Sequence, residues 1–451
     1  MTRARALFAA TAGAWLLPAG RPGIGVVIVS LLVAFAAAGG SRPTFAGAFL
    51  ATLAFALCVV AALRDAQWVV LVSLAAAVVL ASAAATAGET WARVGAGSVA
   101  VALRLADAPA EARSLELDTA RARRLAPAAR GAFVGVVVVV PFGILFWTAD
   151  GAFAQLGSSL PHPSAGAVPG RLLAFVLVLA LVVGLVLARR RPPVYEVAPP
   201  DGPVAFAEWA IPLALLDVLF LAFVVVQVTV LFGGNERVLH TAGLTYAEYA
   251  RQGFAQLLAA ASLTLLVVAA ATRYAGAGTR RDRFVLRALL GVLCLLTLVV
   301  LASALRRLGL YEDAYGFTRV RLAAHGLGLW LALVFVLLLA AGSTRHARWL
   351  PRTALVATGT SLLTFALANP DRMIAEQNVA RWEATGRIDV PYLRSLSADA
   401  VPALDRLPPG LRAGALARLR RRLAQHEPWS SANLSRARAR KSLDTQRLRL
   451  R

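Results

Sequence analysis

The chain has 451 residues, of which 59% are hydrophobic and only 16% are charged, and its mean hydropathy is +0.67. Soluble domains carry roughly 25% charged residues, so this composition excludes a soluble globular protein and predicts a polytopic membrane protein. The formal net charge of +23 comes almost wholly from arginine, with Lys441 as the only lysine, and such an excess near membranes does not indicate a nucleic acid partner.

Eleven apolar runs predict membrane-spanning helices, since about 20 apolar residues cross a bilayer. The predicted fold class is all-α, a polytopic transmembrane helix bundle of about eleven spans with a short helical C-terminal soluble tail. The N-terminus resembles a signal peptide, but further runs follow at once, which indicates a retained first helix. The first two runs are short and have Pro18 and Pro22 between them, so a re-entrant hairpin is the alternative. The runs are 6–19, 23–38, 45–63, 68–85, 131–147, 172–187, 205–232, 254–271, 284–305, 323–341 and 354–368.

Composition divides the chain into four predicted domains. Residues 1–87 form an N-terminal four-helix membrane segment, and residues 88–130 form a cytoplasmic amphipathic linker that lies on the membrane surface. Residues 131–369 form a seven-helix membrane domain, and residues 370–451 form a helical, basic extracytoplasmic tail. The basic residues near its end would suit anionic lipid head groups. They are Arg418, Arg420, Arg421, Arg422, Arg436, Arg438, Arg440, Lys441, Arg447, Arg449 and Arg451.

Arginine-rich loops orient the spans, because short basic loops lie in the cytoplasm. Three such loops alternate correctly along the chain, which predicts a cytoplasmic N-terminus. A basic tail alone would favour the cytoplasm, but long tails follow this rule poorly, and the tail is predicted outside. The inside loops are 189–191, 273–283 and 345–352, and the outside segments are 150–169, 233–251, 306–321 and the tail after Asn369.

Motifs of common enzymes are missing from the sequence. Cys58 and Cys294 lie in apolar runs, where neither a disulfide nor a metal site is expected. The chain has no P-loop, no dinucleotide-binding glycine motif, no zinc-protease motif and no nucleophile elbow. We therefore predict no catalytic residue, no metal and no cofactor.

One carboxylate lies within a predicted span. Asp217 is about midway along the run 205–232, where a charge is costly, so it is an intramembrane ionisable candidate for a proton or cation role. The alternative is a carboxyl group that is protonated or paired with a neighbouring helix. His325 is predicted one turn below an external loop, where a lone histidine is more often a packing residue than a ligand.

The first of three patterned stretches is Leu244–Phe254, LTYAEYARQGF. Thr245 and Glu248 have the spacing of a capping box, which predicts a helix that starts near Tyr246 and runs through residue 271. Tyr249 would then share a face with Tyr246, and Arg251 would lie close to Glu248. The alternative is interfacial anchoring, because tyrosines and helix-end charges are ordinary at membrane boundaries.

The second and third stretches are Tyr311–Arg321 and Asn369–Trp382. In a helix, Tyr311, Tyr315 and Arg319 would line up at intervals of one turn. Asn369 can cap a helix that starts at Pro370. Arg372 and Glu376 have the spacing of a surface ion pair.

On the predicted topology all three stretches share the extracytoplasmic face, so we expect their side chains to line one cleft. The candidate residues of this polar site are Tyr246, Glu248, Tyr249, Arg251, Tyr311, Glu312, Asp313, Tyr315, Arg319, Asp371, Arg372 and Asn378.

A family resemblance rests on the same stretches. LFGGNERVLHTAGLTYAEYARQGF, LYEDAYGFTRVRL and ANPDRMIAEQNVARW, the last followed by DVPYLRSLSADAVPAL, resemble the bacterial multi-pass membrane family catalogued as domain of unknown function 4153/4173. The likeness covers about residues 205–405, with YAEYARQGF as its most specific element, and leaves out the front four helices and the end of the tail. It implies an integral protein of the bacterial inner, or plasma, membrane without an assigned activity.

The sequence is compatible with three classes of function. A non-enzymatic envelope binding or sensing protein is favoured, because no nucleophile or metal constellation is present. The second class is a membrane enzyme that acts on a lipid-linked or envelope substrate, with Glu248 or Asp313 as base and arginines on phosphate. The third is a secondary transporter that uses Asp217. The bilayer, and anionic lipid head groups in particular, are the expected partners, whereas any ligand or protein partner is unknown.

Overall fold

The computed structural model describes residues 2–17, 20–38, 44–86, 88, 90–105, 168–190, 192, 205–232, 253–275, 279–344 and 347–449. These residues form helices, turns and short 3₁₀ segments without a β-strand, which confirms the all-α fold class. The chain divides into two compact units, Met1–Tyr195 with Leu423–Arg440 and Glu196–Arg422 with Lys441–Arg451. Both units therefore contain part of the predicted tail, and the four domain boundaries stay predictions.

Small residues line the helix contacts of the first unit. Its helices are α1 (Thr2–Leu16), α2 (Ile24–Ala37), α3 (Phe45–Leu63), α4 (Gln67–Thr86), α5 (Trp91–Ser98) and α6 (Val168–Arg190). α1 packs on α2 and α6, and α3 packs on α4. Ala9 and Ala10 are buried in one core with Val178, and a side chain at Gly13 would collide with Val178. Small residues let membrane helices approach closely, where van der Waals packing drives association.

The start of the predicted surface linker packs within this unit. α5 contacts α4, and the Ser82 hydroxyl donates to the Gly97 carbonyl at 2.6 Å. Val94 and Ala96 are buried on the same helix. Residues 106–130 of that segment lie outside the described residues.

The second unit is organised around one long helix. Its helices are α7 (Phe206–Phe232), α8 (Phe254–Tyr274), α9 (Arg280–Tyr315), α10 (Arg319–Ser343), α11 (Leu350–Leu367), α12 (Pro370–Thr385), α13 (Val390–Leu393), α14 (Val401–Leu404) and α15 (Pro409–Leu423). α9 packs on α7, α8 and α10, and its core contains Leu293, Leu301 and Phe335. Thr279 and Asp282 form a capping box that fixes the start of α9.

Seven helices in the described part of the chain are long and apolar enough to cross a membrane, namely α3, α4, α6, α7, α8, α9 and α10. The predicted spans 6–19, 23–38 and 354–368 correspond to α1, α2 and α11, which are not among the seven, and the predicted span 131–147 lies outside the described residues. Large apolar side chains such as Leu215 and Leu266 are 65% and 66% exposed. Exposed apolar faces cost about 25 cal/mol per Å² in water but not in lipid. The protein is therefore integral to a membrane, and the total of about eleven spans stays a prediction.

α8 corrects one predicted boundary. The helix begins at Phe254, and Gly253 before it has a left-handed φ of 99°. A residue with positive φ cannot continue a right-handed helix, so the predicted continuous helix from Tyr246 is wrong.

A buried arginine joins the C-terminal part of the first unit to two turns of its bundle. The Arg436 side chain is 1% exposed and donates to Asp65 Oδ1 at 2.7 Å and to Glu427 Oε2 at 3.1 Å. It also donates to the carbonyls of Pro22, between α1 and α2, and of Ser431. We call these five residues the Arg436 clamp.

The neighbours of the clamp bind the end of α3. Arg436 lies in α16 (Leu434–Arg449), and just before this helix the Asn433 amide donates to the carbonyls of Ala61 and Arg64, both at 2.9 Å. These are carbonyls that a helix end leaves without partners. The prediction that Arg436 faces anionic lipid is wrong, because its charge neutralises buried carboxylates.

Candidate functional site

The turn between α9 and α10 is the centre of the candidate site. Gly316 ends α9 with a φ of 81° and a ψ of 172°, a conformation that is essentially restricted to glycine. Asn378 of α12 binds the next residue twice, because its amide donates to the Phe317 carbonyl at 2.9 Å and its oxygen accepts the Phe317 N–H at 3.2 Å. A side chain at Gly316 would collide with the same Asn378 oxygen. The turn and α12 therefore fit only with glycine at this position.

Two arginines bind the carbonyls at the end of α9. Arg381 of α12 donates to the carbonyls of Asp313 and Ala314, at 3.2 and 2.6 Å. Arg321 of α10 donates to the Gly316 carbonyl, and its guanidinium lies 4.0 Å from the centre of the Tyr311 ring. Cations are favourable at a helix C-terminus, where the last carbonyls are unpaired and the helix dipole is negative.

Arg319 and Asp371 form a two-pronged ion pair. Arg319 Nε donates to Asp371 Oδ1 at 2.9 Å, and its Nη2 donates to Asp371 Oδ2 at 2.6 Å. The Asp371 side chain is fully buried, whereas the Arg319 side chain is 31% exposed. The planar guanidinium matches a carboxylate in this geometry, which makes the pair both strong and directional.

Residues after α12 complete this pair. The Ser397 N–H donates to Asp371 Oδ2 at 2.8 Å, and Arg319 Nη2 donates to the Ser395 carbonyl at 3.0 Å. The Arg319 N–H donates to the Tyr392 hydroxyl oxygen at 2.7 Å. Burial raises the pKa of Tyr392, so its hydroxyl stays protonated. We call Arg319, Asp371, Tyr392, Ser395 and Ser397 the Arg319 latch.

His325 has a partner that its sequence position did not indicate. Its Nδ1 lies 3.1 Å from Glu312 Oε2, and the Glu312 side chain is 1% exposed. Glu312 is one of the predicted site residues, and the pair joins α9 to α10 just below the turn. His325 is therefore a hydrogen-bonded packing residue, as predicted.

The second and third predicted stretches meet, but not every member joins the contact. Tyr315 is 51% exposed and packs edge-on to Tyr311, with ring centres 5.0 Å apart. The Asp313 side chain is exposed, and Arg372 forms the predicted surface pair with Glu376 at 2.7 Å. The prediction that Arg319 lines up with the two tyrosines is wrong, because α9 ends at Gly316 and Arg319 begins the next helix.

The first stretch is described by the structure only at its end, Gly253 and Phe254. Tyr246, Glu248, Tyr249 and Arg251 lie outside the described residues, so their part in a shared site stays a prediction. The end of the stretch does approach the second one, since the Phe254 and Tyr311 rings are 6.2 Å apart.

Asn369 differs from its predicted role. The helix does start at Pro370, which confirms the predicted boundary, but the Asn369 side chain makes no capping hydrogen bond. Its backbone is left-handed, with a φ of 64°, and its Oδ1 is buried without a hydrogen-bond partner. Asparagine tolerates this backbone conformation better than other non-glycine residues. The prediction that its side chain caps the helix is wrong, because capping residues typically have a β-region backbone, whereas that of Asn369 is left-handed.

Local spacing did not identify Arg321, Arg381, Tyr392 and Ser397 as members of the site. Two features of the sequence could have indicated them, namely Gly316, five residues before Arg321, and the segment DVPYLRSLSADAVPAL, which contains Tyr392 and Ser397. In this segment Asp389 caps α13 by accepting the Tyr392 N–H at 2.9 Å. The charges of Arg319 and Asp371 in the latch neutralise each other. Among the described residues, no group of three His, Cys, Asp or Glu residues could hold a metal ion.

Comparison with known proteins identifies a family and no individual relative. No curated protein and no solved structure matches the chain. The family match begins at residue 51, within α3, so the expectation that the front four helices lie outside the resemblance is wrong for α3 and α4. Both ends of the Arg319 latch lie inside the match. The model of the family described as Domain of unknown function (DUF4153) matches residues 51–407, which is most of the chain, and the protein therefore belongs to that family.

Proposed function

We propose that the protein is a non-enzymatic membrane sensor in which a helical tail module controls the α9–α10 hairpin. The tail module is residues 370–423, which contain α12 to α15. The observation that supports this proposal is the Arg319 latch, because the first residue of a membrane-spanning helix is bound to two separate segments of the module, at Asp371 and at residues 392–395. Movement of the module would pull directly on α10.

The arginine face of α15 is the proposed binding surface for anionic lipid head groups. Ala415, Leu416 and Leu419 bury one face of this helix. Arg418, Arg420 and Arg421 are exposed. Each basic residue near an anionic surface contributes about 1 kcal/mol of attraction.

A short route connects this surface to the latch. Arg394, which follows α13, donates to the Gly414 carbonyl of α15 at 2.9 Å. Tyr392, two residues earlier, binds the Arg319 N–H. A displacement of α15 on lipid binding can therefore be transmitted to α10 through the Gly414–Arg394 and Tyr392–Arg319 hydrogen bonds and the helical turn between them.

The proposed location of the module is the extracytoplasmic side of the bacterial plasma membrane. α9 and α10 are consecutive membrane-spanning helices, so the turn that holds the latch and the arginine-rich start of α9 lie at opposite ends of the hairpin. The positive-inside rule then assigns the latch to the outside. An enzymatic role is less well supported, because Asp371 and Arg319 already bind each other.

Hydrogen exchange in reconstituted full-length protein tests this proposal. In nanodiscs that contain anionic lipid, the amides of residues 316–322 and 390–397 should exchange more slowly than in neutral nanodiscs. Replacement of Arg418, Arg420 and Arg421 by Gln should remove this difference between the lipids.

A matched control replaces Arg372, Arg387 and Arg406 by Gln, which removes three exposed charges from other elements of the module. This variant should retain the lipid effect. Equal exchange in both lipids, or equal behaviour of the two triple variants, would contradict the proposal.

A further inference from the structure

An unpaired carboxyl group is buried at the interface between α7 and α9. Asp217 is 8% exposed, and neither of its carboxyl oxygens has a hydrogen-bond partner. One turn to either side, Leu213 and Phe220 pack into the core that contains Cys294 of α9. An ionised carboxylate without a partner costs several kcal/mol in such surroundings, so the group is stable here only in its neutral form.

The composition of this site restricts its ligand. Sodium, calcium and magnesium ions need several oxygen ligands, whereas Asp217 supplies a single carboxyl group among apolar side chains. The Cys294 thiol of α9 interacts electrostatically with Asp217. A proton is the one cation that a lone carboxyl group can bind without further ligands.

Polar side chains join α7 to α9 at one end of the two helices, ten residues along α7 from Asp217. Gln227, on the same helix, accepts hydrogen bonds through Oε1 from Ser303 and from Arg307 of α9, both at 2.9 Å. Arg307 approaches Gly253, at the start of α8. Arg307 lies 13 residues beyond Cys294, or about 20 Å along the helix axis at 1.5 Å per residue.

Thr297 lies between Cys294 and Arg307 on α9. It is fully buried, and its hydroxyl donates to the Leu293 carbonyl at 2.7 Å. Cys294 and Thr297 are about one turn apart, as are Ser303 and Arg307, whereas six residues, or about 9 Å along the helix axis, separate Thr297 from Ser303. Polar contacts between α7 and α9 thus lie at the Gln227 end of the two helices, and Thr297 is a buried polar residue of α9 between that end and Cys294.

We propose that Asp217 is a membrane-embedded proton-binding site, reached along the α7–α9 interface from the end that contains Gln227 and Arg307. Loss of the proton would leave an unpaired negative charge between the helices, and α7 must then shift or admit water. Proton binding therefore controls the packing of α7 on α9. This site is separate from the tail module and does not depend on the role proposed for it.

Infrared spectroscopy of the full-length protein in nanodiscs tests the proposal directly. The spectrum at neutral pH should contain the carbonyl band of a protonated carboxyl group, and Asp217→Asn should lose it. Asp217→Glu should shift the band, which provides a second variant if asparagine disturbs folding. Glu208→Gln removes an exposed carboxylate from the same helix and should leave the band unchanged.

Absence of the band from the wild-type protein, or its persistence in Asp217→Asn, would overturn the proposed site. The access route has its own test, which is the rate at which the band shifts after transfer to D2O. Gln227→Leu should slow this shift, whereas Thr264→Val, which changes a buried polar residue of α8, should not. Equal rates for the two variants would overturn the route.

Discussion

The Arg436 clamp and the Arg319 latch both bind a polar segment to a helix bundle through an arginine–aspartate pair, but the arginine comes from opposite partners. In the clamp, the C-terminal segment supplies the arginine and a turn of the helix bundle supplies Asp65. In the latch, the helix bundle supplies the arginine and the tail module supplies Asp371. In both cases a charge-assisted contact fixes a polar segment to the end of a helix hairpin.

Burial separates the two contacts. Arg436 and Asp65 have side chains that are 1% and 2% exposed, and Arg436 binds a second carboxylate in Glu427. The Arg319 side chain is 31% exposed, although Asp371 is fully buried. A buried ion pair that loses one partner is strongly destabilised, whereas an exposed partner can be hydrated. The clamp is therefore the permanent contact, and the latch is the one that can open.

The largest expected effect comes from removing the acid of the clamp. Asp65→Ala leaves the buried Arg436 charge with one carboxylate fewer and should lower the free energy of unfolding by about 3–5 kcal/mol. Denaturant unfolding of the purified protein in detergent measures this change. Glu376→Ala removes an exposed carboxylate and is the matched control. A loss no larger than that of the control would show that Arg436 is already satisfied without Asp65.

Asp371→Asn should have a smaller effect, because Arg319 can turn toward water. The loss of charge-assisted hydrogen bonds should cost about 1.5–3 kcal/mol. Hydrogen exchange should become faster at Ser397, whose N–H binds Asp371, while the amides around Asn433, next to the clamp, stay protected. Uniform acceleration in both regions would contradict the distinction between a permanent contact and one that opens.

The smallest expected effect concerns Arg372 and Glu376, an exposed pair on the same helix as Asp371. Their side chains are 49% and 38% exposed. A double-mutant cycle of the two alanine substitutions should give a coupling energy of about 0.2–1 kcal/mol. A coupling as large as the loss in Asp371→Asn would mean that burial does not determine the strength of these contacts.

Local patterns predicted local features well. The apolar runs identified the membrane helices of the described residues, and residue spacing identified both the Arg372–Glu376 pair and the start of α12 at Pro370. Each of these depends on neighbours within one or two turns. The end of α9 at Gly316 was not predicted, because the spacing of Tyr311, Tyr315 and Arg319 also fits an unbroken helix.

Contacts between residues that are distant in the sequence could not be predicted in detail. The approach of the stretch that contains Arg319 to the helix after Asn369 was expected, but no pattern shows that Arg319 binds Asp371 with both nitrogens. Arg436 was predicted at a lipid surface because it lies among other arginines. Its partner Asp65 is distant in sequence, and only the fold brings the two charges together.

The length of α9 has a consequence for the response to lipid. With 36 residues the helix is about 54 Å long, whereas the hydrocarbon layer of a bilayer is about 30 Å thick. Part of α9 therefore projects beyond the hydrocarbon, and the turn that binds the tail module lies at its tip. Helices adjust their tilt to bilayer thickness. A tilt change of about 10° moves the tip sideways by about 9 Å relative to the other end of the helix. Thickness of the surrounding bilayer is thus a second physical variable to which the latch is exposed.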